Sequence, residues 1–163
     1  MELKKAYFAG GCFWGFEELF RKIPGVVATE VGYMGGLNNE PNYQDHPGHA
    51  EAIEISYDSS IIDYTHLLDY FFRYHDPTTL DRQGNDRGSS YRSAIFYQDE
   101  QELELAKSFI VKVDASGRWT SEVVTSLEKY EKFWPAEKYH QDYLQKNPHG
   151  YTCHYERWGT YLV

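Results

Sequence analysis

Residues 5–25 read KAYFAGGCFWGFEELFRKIPG. Lys5 to Ala9 is short and aromatic and predicts a strand running into Gly10–Gly11. From Cys12 the period changes. Cys12, Phe16, Leu19, Phe20 and Ile23 recur at helical spacing and predict a helix over 12–23, which Pro24–Gly25 ends. A strand, a glycine turn and a helix thus open the chain.

Working outward, Val26 to Tyr33 is β-rich, and 35–48 is a long loop of Gly, Asn, Pro and Asp. Residues 50–57 alternate as a strand does. Tyr64, Leu67, Leu68, Phe71 and Phe72 predict an amphipathic helix that stops near Asp76–Pro77, and a second long loop covers 78–90. A strand over 91–97 and a helix over 100–113 follow, the helix with Leu103, Ala106, Ile110 and Val113 inward. Ser121 to Thr125 predicts a short strand, and Pro135 suits the first turn of a helix through Lys146. The order β-α-β-β-α-β, with additions, predicts an α+β fold. Its expected form is a two-layer ferredoxin-like plait with an extra C-terminal helix and an irregular tail. No composition break divides the chain, so 1–163 is read as one domain, with a core over 5–146 and a tail over 147–163.

The 163 residues are 41% hydrophobic and 25% charged, enough for one soluble domain with a sizeable core. A net charge of -9 with no Lys/Arg-rich run argues against nucleic acid and anionic membranes as partners. No apolar stretch is long enough to span a bilayer, and Met1 to Lys5 leads into no apolar signal region, so the expected location is the cytoplasm. Two cysteines cannot make a disulfide scaffold at this size. Each is a buried hydrophobe, a metal ligand or a reactive thiol.

Cys12 falls at the predicted helix start, where free N–H groups and the helix dipole favour a thiolate. Gly10 and Gly11 leave room above the sulfur. Gly15, inside the helix, costs about 1 kcal/mol against Ala, so a close neighbour should compensate. Phe13 and Trp14 diverge by about 100° around the helix, so at least one lies near the sulfur or the helix end. In HAEAIEISYD (49–58) a strand puts Glu51, Ile53, Ile55 and Tyr57 on one face. Glu51 therefore heads the apolar face, where a carboxyl resists ionisation and can serve as a general acid; at the strand end it could equally escape to water. The two long loops offer Tyr43, Asp45, His46, His49, Asp81, Asp86 and Tyr91, of which tyrosine hydroxyls could stabilise an oxygen that gains charge. His46 and His49 with a cysteine are a poor zinc pattern, lacking a second cysteine pair or a helical HExxH. If the tail folds back, Cys153 is a natural resolving thiol for an oxidised Cys12.

GGCFWG (10–15), GYMGG (32–36), NY (42–43), GHAEAI (48–53), HDPT (75–78), RQGNDRGSSYRSAIF (82–96), AEKYHQDYL (136–144) and NPHGY (147–151) resemble the class A peptide-methionine sulfoxide reductases. The resemblance spans roughly 6–153. It implies reduction of the S-epimer of methionine sulfoxide, free or in proteins, and a ferredoxin-like fold. It implies Cys12 as nucleophile, Phe13 and Trp14 as the pocket for the substrate methyl, and Glu51 as the acid on the sulfoxide oxygen. Tyr43 and Tyr91 would be hydroxyl donors to that oxygen, and Asp86 the organising carboxylate. Cys12 would become a sulfenic acid, Cys153 would form a disulfide with it, and thioredoxin, or dithiothreitol in vitro, would reduce that bond, with no bound cofactor or metal. Some relatives carry two further cysteines after the NP-x-GY segment, whereas this chain has one.

Two other readings remain open on the residues. A Cys-His hydrolase or acyltransferase would pair Cys12 with His49 or His140. A binding module would bury Cys12 as packing. A monomer is expected, because protein-bound substrate must reach the site.

Overall fold

The computed structural model describes residues 1–162. Its elements are β1 (Leu3–Gly10), α1 (Phe13–Phe20), β2 (Val26–Met34), β3 (Ala50–Asp58), α2 (Tyr64–Tyr74), β4 (Arg82–Gln83), β5 (Asp86–Arg87), β6 (Ser93–Tyr97), α3 (Glu100–Ala115), β7 (Ser126–Lys129), β8 (Trp134–Pro135) and α4 (Tyr143–Lys146). Single 3₁₀ turns occupy Ser89–Tyr91 and Lys138–His140. Six strands form one sheet in the order β7-β6-β1-β3-β2-β8. All neighbours are antiparallel except β6 and β7. The fold is mixed α/β, with a central, mostly antiparallel sheet and four helices.

Alternation along the strands sorts the two faces. Ala6 and Phe8 of β1 and Ile53, Ile55 and Tyr57 of β3 join Phe16, Phe20, Leu67, Phe71, Phe72 and Phe109 in the main core. Helices α1, α2 and α3 supply that cover because their apolar residues recur at i, i+3 and i+4. The opposite face, with Tyr7, Ala9, Ala52 and Phe96, packs against Met34 and Phe133. Helices α2 and α3 start on aspartates: Asp63 accepts from the His66 N–H at 2.9 Å and Asp99 from the Glu102 N–H at 2.8 Å. Each such cap is worth about 1 kcal/mol.

Two expected elements differ. The strand placed at 121–125 forms instead at Ser126–Lys129, beside β6. The continuous C-terminal helix expected from Pro135 to Lys146 is absent. Trp134 and Pro135 pair with Tyr33 and Gly32 as β8, then come a 3₁₀ turn and a four-residue α4. The cause is the open edge of β2. The Val31 N–H donates to Gln141 Oε1 at 2.9 Å, and Gln141 Nε2 donates to the Val31 carbonyl at 2.8 Å. The Gln141 amide thus acts as a partner strand would, and satisfying a buried edge outweighs the local helix pattern. Gly32 allows the approach, since a Cβ there would strike the Trp134 carbonyl oxygen. Helix α1 is also shorter than the predicted 12–23.

Candidate active site

Cys12 is the N-cap of α1, between Gly11 at φ 102° and the first helical residue. Its side chain makes no capping hydrogen bond of good geometry, although the sulfur faces the Trp14 N–H, so the Phe13 amide needs another acceptor. Glu51 supplies it: Oε1 accepts from the Phe13 N–H at 3.2 Å. Glu51 is 2% exposed, at the head of the apolar face of β3, while Glu54 on the other face meets Tyr7 and Lys5. One hydrogen bond thus ties the carboxyl to the amide that follows the cysteine.

A cavity of about 80 Å³ opens there, lined by Cys12, Phe13, Trp14, Tyr43, Glu51, Asp86, Tyr91 and Tyr151. Five parts of the chain converge on it: the start of α1, the first long loop, β3, the second long loop and the tail. Phe13 is buried against Tyr33, with ring centroids 5.7 Å apart. The Trp14 indole N–H donates to His140 Nδ1 at 3.0 Å, and the indole stacks on Tyr143 at 3.7 Å. Tyr43 is held through its backbone N–H, which donates to Glu137 Oε2 at 3.0 Å; Tyr33 donates to Oε1 of the same carboxylate at 2.9 Å. The second loop folds as the β4–β5 hairpin, turning at Gly84 (φ 58°), and this presents Asp86. Arg92 pins that loop. It binds Glu128 through two 3.0 Å bonds and donates to the Gly48 and Ser89 carbonyls.

Burial dominates the electrostatics. Desolvation raises the Glu51 pKa to about 8, against the lowering by its amide bond. The acid expected from the strand pattern is therefore protonated at neutral pH. Cys12 departs from expectation: burial first, and the nearby Glu51 carboxyl second, push its thiol well up. The helix start does lower it, through the Trp14 N–H, but by less than those two raise it. Tyr43 and Tyr91 are also raised, chiefly by burial, and stay hydroxyl donors.

The other loop candidates lie off the cavity. His46 bonds the Asn42 carbonyl and Ser90 Oγ, each at 2.8 Å. His49 Nδ1 accepts from the Gly36 N–H at 3.1 Å, and its Nε2 meets the Asn38 carbonyl at 2.9 Å. Asp45 and Asp81 serve loop turns. Among the described residues no group of three or more His, Cys, Asp or Glu is placed to hold a metal ion, and no helix is long and apolar enough to cross a membrane. Neither His49 nor His140 lines the cavity, His49 being held by Gly36 and Asn38 and His140 bonding Trp14 through Nδ1, so the geometry gives a Cys-His pair no support.

The tail folds back onto the site, with Tyr151 lining the cavity. The Cys153 sulfur is a free thiol 3.9 Å from Asp86 Oδ2. A family model described as peptide methionine sulfoxide reductase matches residues 4–160. The chain belongs to that family. It is 57% identical over 156 residues to the peptide methionine sulfoxide reductase MsrA of Nocardia farcinica, covering 96% of this chain and 92% of that one. Crystallised Mxr1 from Saccharomyces cerevisiae in reduced form is similar at TM-score 0.86 and 38% identity, over 96% of this chain and 93% of that chain. Mxr1 in complex with Trx2 aligns at TM-score 0.64 and 29% identity, over 96% and 91%.

As a peptide methionine sulfoxide reductase the protein is an oxidoreductase that returns methionine sulfoxide to methionine. Its cavity has a thiol, a protonated carboxyl and hydroxyl donors around a space for one small group. Sequence reasoning missed Tyr151, whose hydroxyl donates to Asp86 Oδ2 at 3.0 Å. The available signal was period two: in an extended tail Tyr151 and Cys153 share a side. It also missed Glu137, which positions Tyr43 without touching the cavity.

Proposed function

We propose that this reductase takes the S-epimer of methionine sulfoxide, free or in proteins, through Cys12, Glu51 and Cys153, and that thioredoxin recycles it. The observation that carries the reading is the Glu51 carboxyl, buried, protonated at neutral pH and bonded to the amide beside Cys12. The sulfoxide oxygen lies toward Glu51, Tyr43 and Tyr91, with Asp86 organising the site, and the methyl lies against Phe13 and Trp14. Glu51 gives its proton to the oxygen. The Cys12 sulfur adds to the sulfoxide sulfur, and its own proton passes to the vacated carboxylate. The adduct collapses to methionine and a Cys12 sulfenic acid. Cys153 displaces the hydroxyl as water, and an external dithiol reduces the disulfide. Thioredoxin in this role is supported by the yeast relative's complex with Trx2.

We read the β1-α1-β2-β3-α2-β6 core as a ferredoxin-like plait, supported by the order β6-β1-β3-β2. One catalytic domain over 1–163, acting as a cytoplasmic monomer, completes the proposal. Separate S- and R-epimers with dithiothreitol, beside Cys12→Ser, test it. Turnover of the S-epimer alone, absent in the variant, is expected; equal rates on both epimers or an active variant would overturn it. Cys153→Ser should release one methionine per enzyme and lose thioredoxin turnover.

A further inference from the structure

His154 is buried beside Cys153, and each of its ring nitrogens has a defined neighbour. Nε2 lies 2.6 Å from the Gly10 carbonyl oxygen, which can only accept, so Nε2 carries the hydrogen. Burial lowers the His154 pKa to about 4, so the ring is neutral and Nδ1 keeps its lone pair. The neighbour of Nδ1 is Cys153 Sγ, at 3.9 Å. Gly10 ends β1 two residues before Cys12, so one imidazole spans from the turn that carries the nucleophile to the second thiol.

The other groups acting on Cys153 are Asp86, Tyr151 and Arg157. Burial, and then the Asp86 charge, raise the Cys153 thiol, so it attacks poorly unless its proton has somewhere to go. Asp86 Oδ2 is also 3.9 Å away and can accept from the thiol, but it shares its lone pairs with the Tyr151 hydroxyl. Arg157 is a cation and accepts nothing. Among the described residues Nδ1 has no competing partner, and the ring is fixed in place. A Cβ on Gly15 would strike it, and one on Gly11 would lie 3.3 Å from Nε2.

We propose that His154 is a catalytic residue of the resolving step, its Nδ1 accepting the Cys153 thiol proton as that sulfur attacks the Cys12 sulfenic acid. The proposal rests on the reading of Cys153 as the resolving thiol. The Cys153–Cys12 S–S bond forms and the Cys12 S–O bond breaks. The leaving hydroxyl takes a proton from Glu51 and departs as water, and His154, a weak base, releases the proton it took as the S–S bond forms, which restores the Glu51 carboxyl. No further oxidant or reductant enters.

The test is a single pulse of S-methionine sulfoxide without reductant, acid-quenched and followed by counts of methionine and of free thiols. In the unmodified enzyme two thiols should disappear per methionine; loss of one alone would sink the reading of Cys153 rather than the role of His154. His154→Gln keeps a donor near Gly10 but no acceptor at the Nδ1 position. In it, the rate of second-thiol loss relative to methionine formation should fall about tenfold or more, and that ratio should rise more steeply from pH 6 to 9 than in the parent enzyme, because thiolate must then come from hydroxide. The same ratio and the same pH profile in the variant would overturn the proposal. Should the variant not fold, ¹⁵N shifts of His154 in the unmodified reduced protein decide. An Nε2–H tautomer is expected at neutral pH, and an Nδ1–H tautomer overturns the proposal, since that nitrogen could then accept nothing.

Discussion

Glu51 and Cys12 both hold their protons at neutral pH, and for both the main cause is burial. For Glu51 the folded pKa of about 8 lies far above an unfolded value near 4.3. Below the unfolded value the carboxyl is neutral in both states, and its burial is least costly. As pH rises toward 8 the unfolded chain ionises first, so stability falls through that window. Glu51→Gln removes the titration and keeps an oxygen for the Phe13 amide. Its melting temperature should exceed the parent's by a margin that grows from pH 5 to pH 8. The same variant should lose roughly 10²–10⁴ in methionine formation, the usual worth of a general acid. Melting curves across pH and a single-turnover assay check the pair. A parent kcat/KM that falls as pH passes 8 would mark Glu51 as the acid, and a flat profile there would exclude it.

At the scale of elements, Gly15 shows why the middle of α1 carries a glycine. A Cβ there would collide with Thr152 Oγ1 and His154 Nδ1, so the tail lies directly on the helix. Gly15→Ala would gain about 1 kcal/mol in helix propensity. Overpacking costs about 1–3 kcal/mol, so a net loss of stability is expected in denaturant. Displacing residues 152–154 should also slow closure of the Cys12–Cys153 bond, read as delayed loss of the second thiol. The site's polar parts meet only across elements. Tyr43 is set by Glu137, and Trp14 by His140, each far along the chain.

Across the whole molecule the tail is a strap fixed at two points that follow Cys153 in the chain. His154 holds it at Gly10, and Asp69 of α2 holds its end. That buried carboxylate accepts from Thr160 Oγ1 and from the Tyr161 N–H, each at 2.7 Å, and from Arg73 at 3.1 Å. Asp69→Ala leaves those donors unpaired and should cost about 2–4 kcal/mol by urea unfolding. Hydrogen exchange should then rise over 156–162, while an unaltered exchange pattern there would show that the strap does not depend on Asp69.

The sequence by itself determined the order β1-α1-β2-β3-α2-β6-α3, because apolar periodicity reports which face is buried, whereas the β4–β5 hairpin fell inside the loop expected over 78–90. It also put Glu51 on the apolar face of β3, and Cys12 at a helix start, from spacing alone. The motifs identified the chemistry. Tertiary structure alone decided the rest. Trp134 to Lys146 gave up its local helix pattern to cover the edge of β2, since unpaired backbone groups at that edge cost more than helix propensity returns. The protonation of Cys12 was likewise not local: the helix start lowers it, but burial by distant residues and the carboxyl of β3 raise it further. The approach of Cys153 came from packing on two glycines and one carbonyl, contacts no linear pattern encodes.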